Sequence, residues 1–271
     1  MISSVERICR LLSILFVVVA VAAFTSAPAA AKTMADITKA KVFNIGVVPW
    51  NPDVIKDPNT GEYTGVFPDA AKFICETIKV KCVFKEFAWA TFIAGLQSRQ
   101  IDISIASTYS KMSRALVVNF ARPIYMMGYK AVAKKGETRF NSVEDLNNSD
   151  ITIGVTQGTG EHEWAQKMAP KAKLNVVKTE EANMLQIVTG KVDIAIGDSG
   201  AANRALATQS GIEATLGGRI YSKNMVAWAV NKQDLDILIF INTALNQLIA
   251  NGKLLELAKK YKAPWMNDLA F

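Results

Sequence analysis

The stretch Asp102–Phe120, DISIASTYSKMSRALVVNF, decides how the chain is read. Asp102-Ile103-Ser104-Ile105 has the β-branched apolar content of a buried strand. The strand is expected to stop in the hydroxyl cluster Ser107, Thr108, Tyr109 and Ser110, and Arg114 follows within about one helical turn. Hydroxyls and free backbone N–H groups past a strand end, with a guanidinium just beyond, suit the carboxylate or phosphate of a small ligand. The same residues also suit an ordinary strand-to-helix turn with Arg114 in a surface ion pair.

Working outward from this stretch, strand and helix signals alternate. Val42–Val47 reads as a first strand, ending at Pro49-Trp50-Asn51-Pro52, and Asp57-Pro58-Asn59-Thr60-Gly61 is dense turn chemistry. A helix is expected from Asp69, a strand over Val80–Phe87 and a helix over Ala90–Ser98. The pattern restarts after Ser142 and Asp145, which form a capping-box-like helix start. Strands then read at Ile151–Val155, Leu174–Val177, Asp193–Ile196 and Met225–Val230. The helices between and after them end with Leu235–Ala250 and Leu254–Tyr261. Such alternation predicts α/β structure with mostly parallel sheets.

Two echoes divide the chain. Ile45-Gly46-Val47 matches Ile153-Gly154-Val155, and Asp102-Ile103-Ser104-Ile105-Ala106-Ser107 matches Asp193-Ile194-Ala195-Ile196-Gly197-Asp198. Both pairs occur in the same order. They imply two similar α/β lobes whose strand ends face one crevice, with Ser107 and Asp198 at equivalent ends. Asp102 and Asp193 are expected to tie down the turns before their strands.

The N-terminus has a different character. Arg7 and Arg10 precede the apolar run Leu11–Ala23, and Ala29-Ala30-Ala31 fits a cleavage site, so residues 1–31 read as a signal peptide cut after Ala31. About 240 residues then remain, enough for one large domain or two modest lobes. Removing Arg7, Arg10 and Glu6 takes a net +1 from the whole-chain +7 and leaves +6. The basic residues are scattered, with no aromatic-studded stripe, which argues against nucleic acid. Cys75 and Cys82 survive processing in an oxidising compartment, and the sequence leaves open whether they pair or stay as thiols. The lone His162 has no second ligand at metal-binding spacing.

Taken jointly, Trp89, Leu96-Gln97, Asp102, Arg114, Phe120, Pro123, then Gly154-Val155, Gln157-Gly158-Thr159 and Gly190-Lys191-Val192-Asp193 with Asp198, resemble the family 3 extracellular solute-binding proteins. These are the periplasmic polar-amino-acid receptors of ABC importers. The resemblance covers Lys41 to Tyr261. It implies a two-lobed periplasmic-binding-protein type II-like fold, each lobe a mostly parallel sheet flanked by helices. Two hinge strands would lie near Met126–Tyr129 and Tyr221–Met225. Lobe 1 would comprise 41–126 plus 225–271, and lobe 2 127–224. The implied molecule is a monomer that closes on a small zwitterion, an amino acid or related carboxylate, and hands it to a membrane permease. No cofactor or metal is implied.

Residue by residue, Arg114 matches the arginine that clamps the ligand α-carboxylate, and Ser107 and Tyr109 match positions that assist it. Asp198 matches the acid that pairs with the α-ammonium. Thr159 opens a helix whose N–H groups can add donors. Trp50 and Trp89 lie where aromatics flank the ligand side chain. Structural roles compete with these: Trp89 as core, Trp50 as a loop anchor, Thr159 as an N-cap. The sequence departs from the family at Lys111, Met112, Ser113 and Gly160. Val48 stands where cation-selective relatives keep an acid, which argues against arginine, lysine or histidine as ligand. Two rival functions remain: a cyclohexadienyl dehydratase-like enzyme, disfavoured because Asp198 has no evident second proton donor beside it, and a ligand-sensing module for a signalling partner.

Overall fold

The computed structural model describes residues 31–266. The segment expected to be a signal peptide lies outside the described residues, apart from Ala31, as do positions 267–271.

The first half runs α1 (Met34–Ala40), β1 (Val42–Val47), the hairpin β2 (Ile55–Lys56) and β3 (Tyr63–Thr64), α2 (Val66–Thr77), β4 (Lys81–Glu86), α3 (Phe92–Gln97), β5 (Ile103–Tyr109), α4 (Met112–Ala115) and β6 (Val118–Phe120). A long strand β7 (Tyr125–Lys134) leads to a 3₁₀ turn at Val143–Leu146, then β8 (Thr152–Thr156), α5 (Gly160–Met168) and β9 (Lys173–Val177). The chain continues through α6 (Glu180–Val188), β10 (Ile194–Asp198), α7 (Ser199–Thr208) and β11 (Ile212–Ala214). It returns along β12 (Tyr221–Asn231) and closes with α8 (Leu235–Ala250) and α9 (Lys253–Lys260).

One path of hydrogen-bonded strands runs β4-β1-β5-β12-β7-β10-β8-β9. Its ends are two parallel trios, β4-β1-β5 and β10-β8-β9, and its middle is the antiparallel pair β12 and β7. The echoes seen in the sequence occupy equivalent places. Ile45 and Gly46 lie opposite Ile103 and Ser104, while Ile153 and Gly154 lie opposite Ile194 and Ala195. Asp102 accepts from the Asn44 N–H at 2.9 Å, and Asp193 accepts from the Thr152 N–H at 2.8 Å. Each aspartate therefore stitches its central strand to the neighbouring one, the structural role expected of it. The segments expected to hinge, Met126–Tyr129 and Tyr221–Met225, face each other in the β7–β12 pair, whose register shifts between Tyr221 and Asn224.

Several expected boundaries move. Strand β5 does stop within the hydroxyl cluster, at Tyr109, where Ala227 and Val226 of β12 lie opposite Thr108 and Tyr109. Helix α2 begins at Val66 rather than Asp69, since Gly65 at φ 110 turns the chain and Pro68 is tolerated in a first turn. Helix α1 carries the capping box Thr33/Asp36 but only one buried residue, Ile37, so its apolar period is faint. Cys75 and Cys82 are disulfide-bonded across the α2–β4 turn, Cα atoms 5.9 Å apart.

The core follows helical and strand periods. Helix α8 buries Ile237, Ile241, Leu245 and Leu248, and α9 buries Leu254, Leu257 and Ala258. Each of the isoleucine and leucine side chains contributes about 1.5–3 kcal/mol by leaving water. Helix α2 sets Phe67 edge-on to Trp228 at 5.5 Å, and Trp265 stacks on Tyr125 at 4.3 Å. Among the described residues no helix is long and apolar enough to cross a membrane.

Candidate functional site

The strand ends of the two parallel trios converge on a cavity. From the first half, Trp50 follows β1, Trp89 precedes α3, Ser107 and Tyr109 end β5, and Arg114 lies on α4; all line the cavity. From the second half come Thr159 at the start of α5 and Asp198 at the end of β10. The structure thus gathers all seven sequence-predicted residues around one space. It adds Met127, Gly160, Glu161 and Glu180, none of which the sequence reading counted among the site residues.

Asp198 is 4% exposed and caps α7, accepting from the Ala201 N–H at 2.8 Å and from Trp50 Nε1 at 2.7 Å. Trp50 therefore serves both as an anchor and as cavity wall. Burial pushes the Asp198 carboxyl up, while Arg204 and these hydrogen bonds pull it down. Arg204 lies 4.7 Å over the Trp50 ring. Arg114 is 7% exposed, donates from Nη2 to the Gly158 carbonyl at 3.2 Å, and sits 6.0 Å over the Phe92 ring. Its charge has only a loose pairing, 3.7 Å from Glu163. A buried guanidinium so placed can take a carboxylate with its planar fork.

Ser107 donates its one hydroxyl proton to Asp53 Oδ2 at 2.6 Å. Its side chain thus offers lone pairs to the cavity, so it can accept from a ligand N–H. Asp53 has no solvent exposure and also accepts from the Tyr125 hydroxyl at 2.5 Å and Trp265 Nε1 at 2.7 Å. Burial raises its carboxyl to about 6, the three donors opposing. Thr159 is the N-cap of α5, accepting from the His162 N–H at 3.3 Å and donating to the Thr156 carbonyl at 2.8 Å. His162 itself is half-buried. Lys111 reaches Glu163 at 2.7 Å and lies 5.8 Å over the Tyr129 ring, outside the cavity lining.

Glu161 and Glu180 change the chemistry of the pocket. Both are buried, and each has an Oε2 atom with no hydrogen-bond partner. Desolvation and the neighbouring Asp198 charge raise the Glu161 carboxyl to about 7, and desolvation with the Glu161 and Asp198 charges pushes Glu180 well above the usual carboxylate range. Tyr109 donates to Glu161 Oε1 at 3.3 Å. The expectation that Asp198 lacks a second proton donor is therefore overturned. Glu161 was missed because it reads as a first-turn acid complementing the helix dipole, two residues past Thr159. Glu180 was missed for the same reason, standing directly after the Thr179 cap of α6.

Residues 43–264 match the bacterial extracellular solute-binding proteins, family 3. The chain belongs to that family. It is 28% identical over 231 residues to an L-arginine-binding protein of Pseudomonas aeruginosa, covering 82% of this chain and 88% of the relative. It is 24% identical over 202 residues to an L-cystine-binding protein of Escherichia coli, covering 74% and 75%. A crystal structure of an ancestral amino acid-binding protein, a precursor of cyclohexadienyl dehydratase, superposes with TM-score 0.76 at 26% identity, covering 84% and 98%. The two-lobed type II fold implied by the family resemblance is the fold observed, and a solute-binding protein of this family is an extracellular or periplasmic receptor.

Proposed function

We propose that this family 3 receptor binds an amino acid or closely related zwitterion between lobes 41–126 plus 225–271 and 127–224, and delivers it as a monomer to an ABC permease. In this reading the leader is removed after Ala31 and the mature protein works in the periplasm. The supporting observation is the cavity itself, which has a buried guanidinium, Arg114, on one half and a buried carboxylate, Asp198, on the other. A zwitterion matches both signs. Because its two ends are held by different lobes, it binds the closed form far better than the open one, and that difference shifts the population. Micromolar binding requires roughly −8 kcal/mol, which so small a ligand reaches only with well-paired charges.

A thermal-shift screen of the common amino acids and small carboxylates identifies the ligand class, and calorimetry on variants tests the roles. Arg114→Ala and Asp198→Ala are each expected to weaken binding by about 100-fold or more, because the partner charge is left buried and unpaired. Near wild-type affinity in both variants refutes the assignment.

A dehydratase-like activity is the second reading, favoured by the buried protonatable carboxyls of Glu161 and Glu180. Turnover of prephenate or arogenate, abolished by Glu161→Gln, would establish it; no turnover removes it.

A further inference from the structure

Asp198, Glu161 and Glu180 each present a carboxylate oxygen, and the three atoms lie within 4.8 Å of one another. The three residues line the cavity described above, and Glu161 Oε2 and Glu180 Oε2 are buried and unpartnered. Carboxylate oxygens this close can share a bound ammonium through charge-assisted hydrogen bonds.

The charge balance points the same way. An α-ammonium is neutralised by one carboxylate, and Asp198 supplies it. Glu161 and Glu180 are then surplus: two like-charged carboxyls in a buried space, facing Arg114, Tyr109 and, through Asp198, Arg204. A pocket for a neutral side chain gains nothing from them, since two glutamines would line it without the desolvation cost. A second basic nitrogen on the ligand gives these oxygens the partner they lack.

From this geometry we infer that the cargo is a short amino acid with two basic nitrogens, of the 2,4-diaminobutyrate or ornithine type, its second cation seated on Glu161 and Glu180. The inference rests on the amino-acid reading above and narrows its substrate class. It reverses the expectation drawn from Val48: the acids stand on the opposite wall, at the starts of α5 and α6. A cation seated here favours the ionised form of both glutamates and so lowers their hold on protons, which a neutral amino acid does not do.

The test is calorimetry on the wild-type protein at pH 7.5 with L-2,4-diaminobutyrate, L-ornithine, L-norvaline and L-glutamine, in buffers of differing ionisation enthalpy. Binding of a diamino acid at least 100-fold tighter than norvaline or glutamine, with net proton release, is expected. Glu161→Gln and Glu180→Gln should each shrink that preference at least tenfold, their folding checked by circular dichroism. If norvaline or glutamine binds as tightly as the diamino acids, the inference fails while the amino-acid reading stands. If none of the four binds, both fail. Should CaCl₂, MgCl₂ or ZnCl₂ alone raise the melting temperature and compete with a diamino acid, the triangle is a metal site and the inference is overturned.

Discussion

Asp53 shows how a residue outside the family signature can govern the site. Its carboxylate accepts from Ser107, Tyr125 and Trp265, joining the end of β5, the start of β7 and the C-terminal segment. Asparagine has one acceptor oxygen and two N–H donors, so Asp53→Asn leaves at least one of those three donors facing another donor. A loss of about 1–3 kcal/mol at pH 7.5 is expected. The pH dependence is more specific. The folded carboxyl sits at about 6, above its unfolded value of 3.8, so the folded state holds this proton more tightly. The resulting stabilisation is fully present below the unfolded value and disappears as pH rises through about 6. The wild type should therefore exceed Asp53→Asn by about 2.4 kcal/mol more at pH 4 than at pH 7.5, the other carboxylates cancelling between the two proteins. Urea unfolding at the two pH values measures this, and a pH-independent gap contradicts it.

At the scale of elements, the equivalent strands β1 and β8 carry glycines at matching positions for different local reasons. A Cβ on Gly46 would lie 2.2 Å from the Ile101 Cδ1 atom, the end of a side chain that can rotate. One on Gly154 would lie 2.7 Å from Asn183 Oδ1 and 3.1 Å from Gln186 Nε2, inside a buried amide network that also holds the Ile196 carbonyl. Gly154→Ala should cost about 2–3 kcal/mol and Gly46→Ala about 1 kcal/mol, by chemical denaturation. A Gly154→Ala protein no less stable than Gly46→Ala would show that the network yields easily. The repeat that places these glycines was legible because strand β-branching, the leading aspartates and the IGV triplets recur in order. The hairpin β2–β3 and strands β6 and β11 were not, being two or three residues long and set by pairing with distant partners. All seven expected site residues reach the cavity, since strand ends project there whatever the loop detail. Asp53, Glu161 and Glu180 escaped because their burial comes from tertiary packing, while locally each looks like a turn or first-turn acid.

The whole molecule is held shut by contacts from one half to the other: Trp50 to Asp198, Arg114 to the Gly158 carbonyl, Tyr109 to Glu161 and Lys111 to Glu163. Gly158 is the closest backbone approach among them. A Cβ there would lie 2.6 Å from both N and Cα of Ala90 and 2.9 Å from the Trp89 carbonyl carbon. Backbone atoms cannot rotate aside, so Gly158→Ala can relieve the clash only by separating the halves. The residue also has φ +76, which costs an alanine roughly 1–2 kcal/mol in any state of the protein. Gly61 separates the two effects, with φ +72 and nothing within 4 Å of its would-be Cβ. Both variants should lose similar stability, and Gly61→Ala should keep wild-type affinity for whichever amino acid gives the largest thermal shift. Gly158→Ala should bind that ligand about tenfold or more weakly, because the competent closed state is then a small fraction of the population. Small-angle scattering at equal subsaturating ligand should give it the larger radius of gyration. Equal affinities in the two variants would mean that ligand does not require the halves to meet at Gly158, and that closure is not what binding drives.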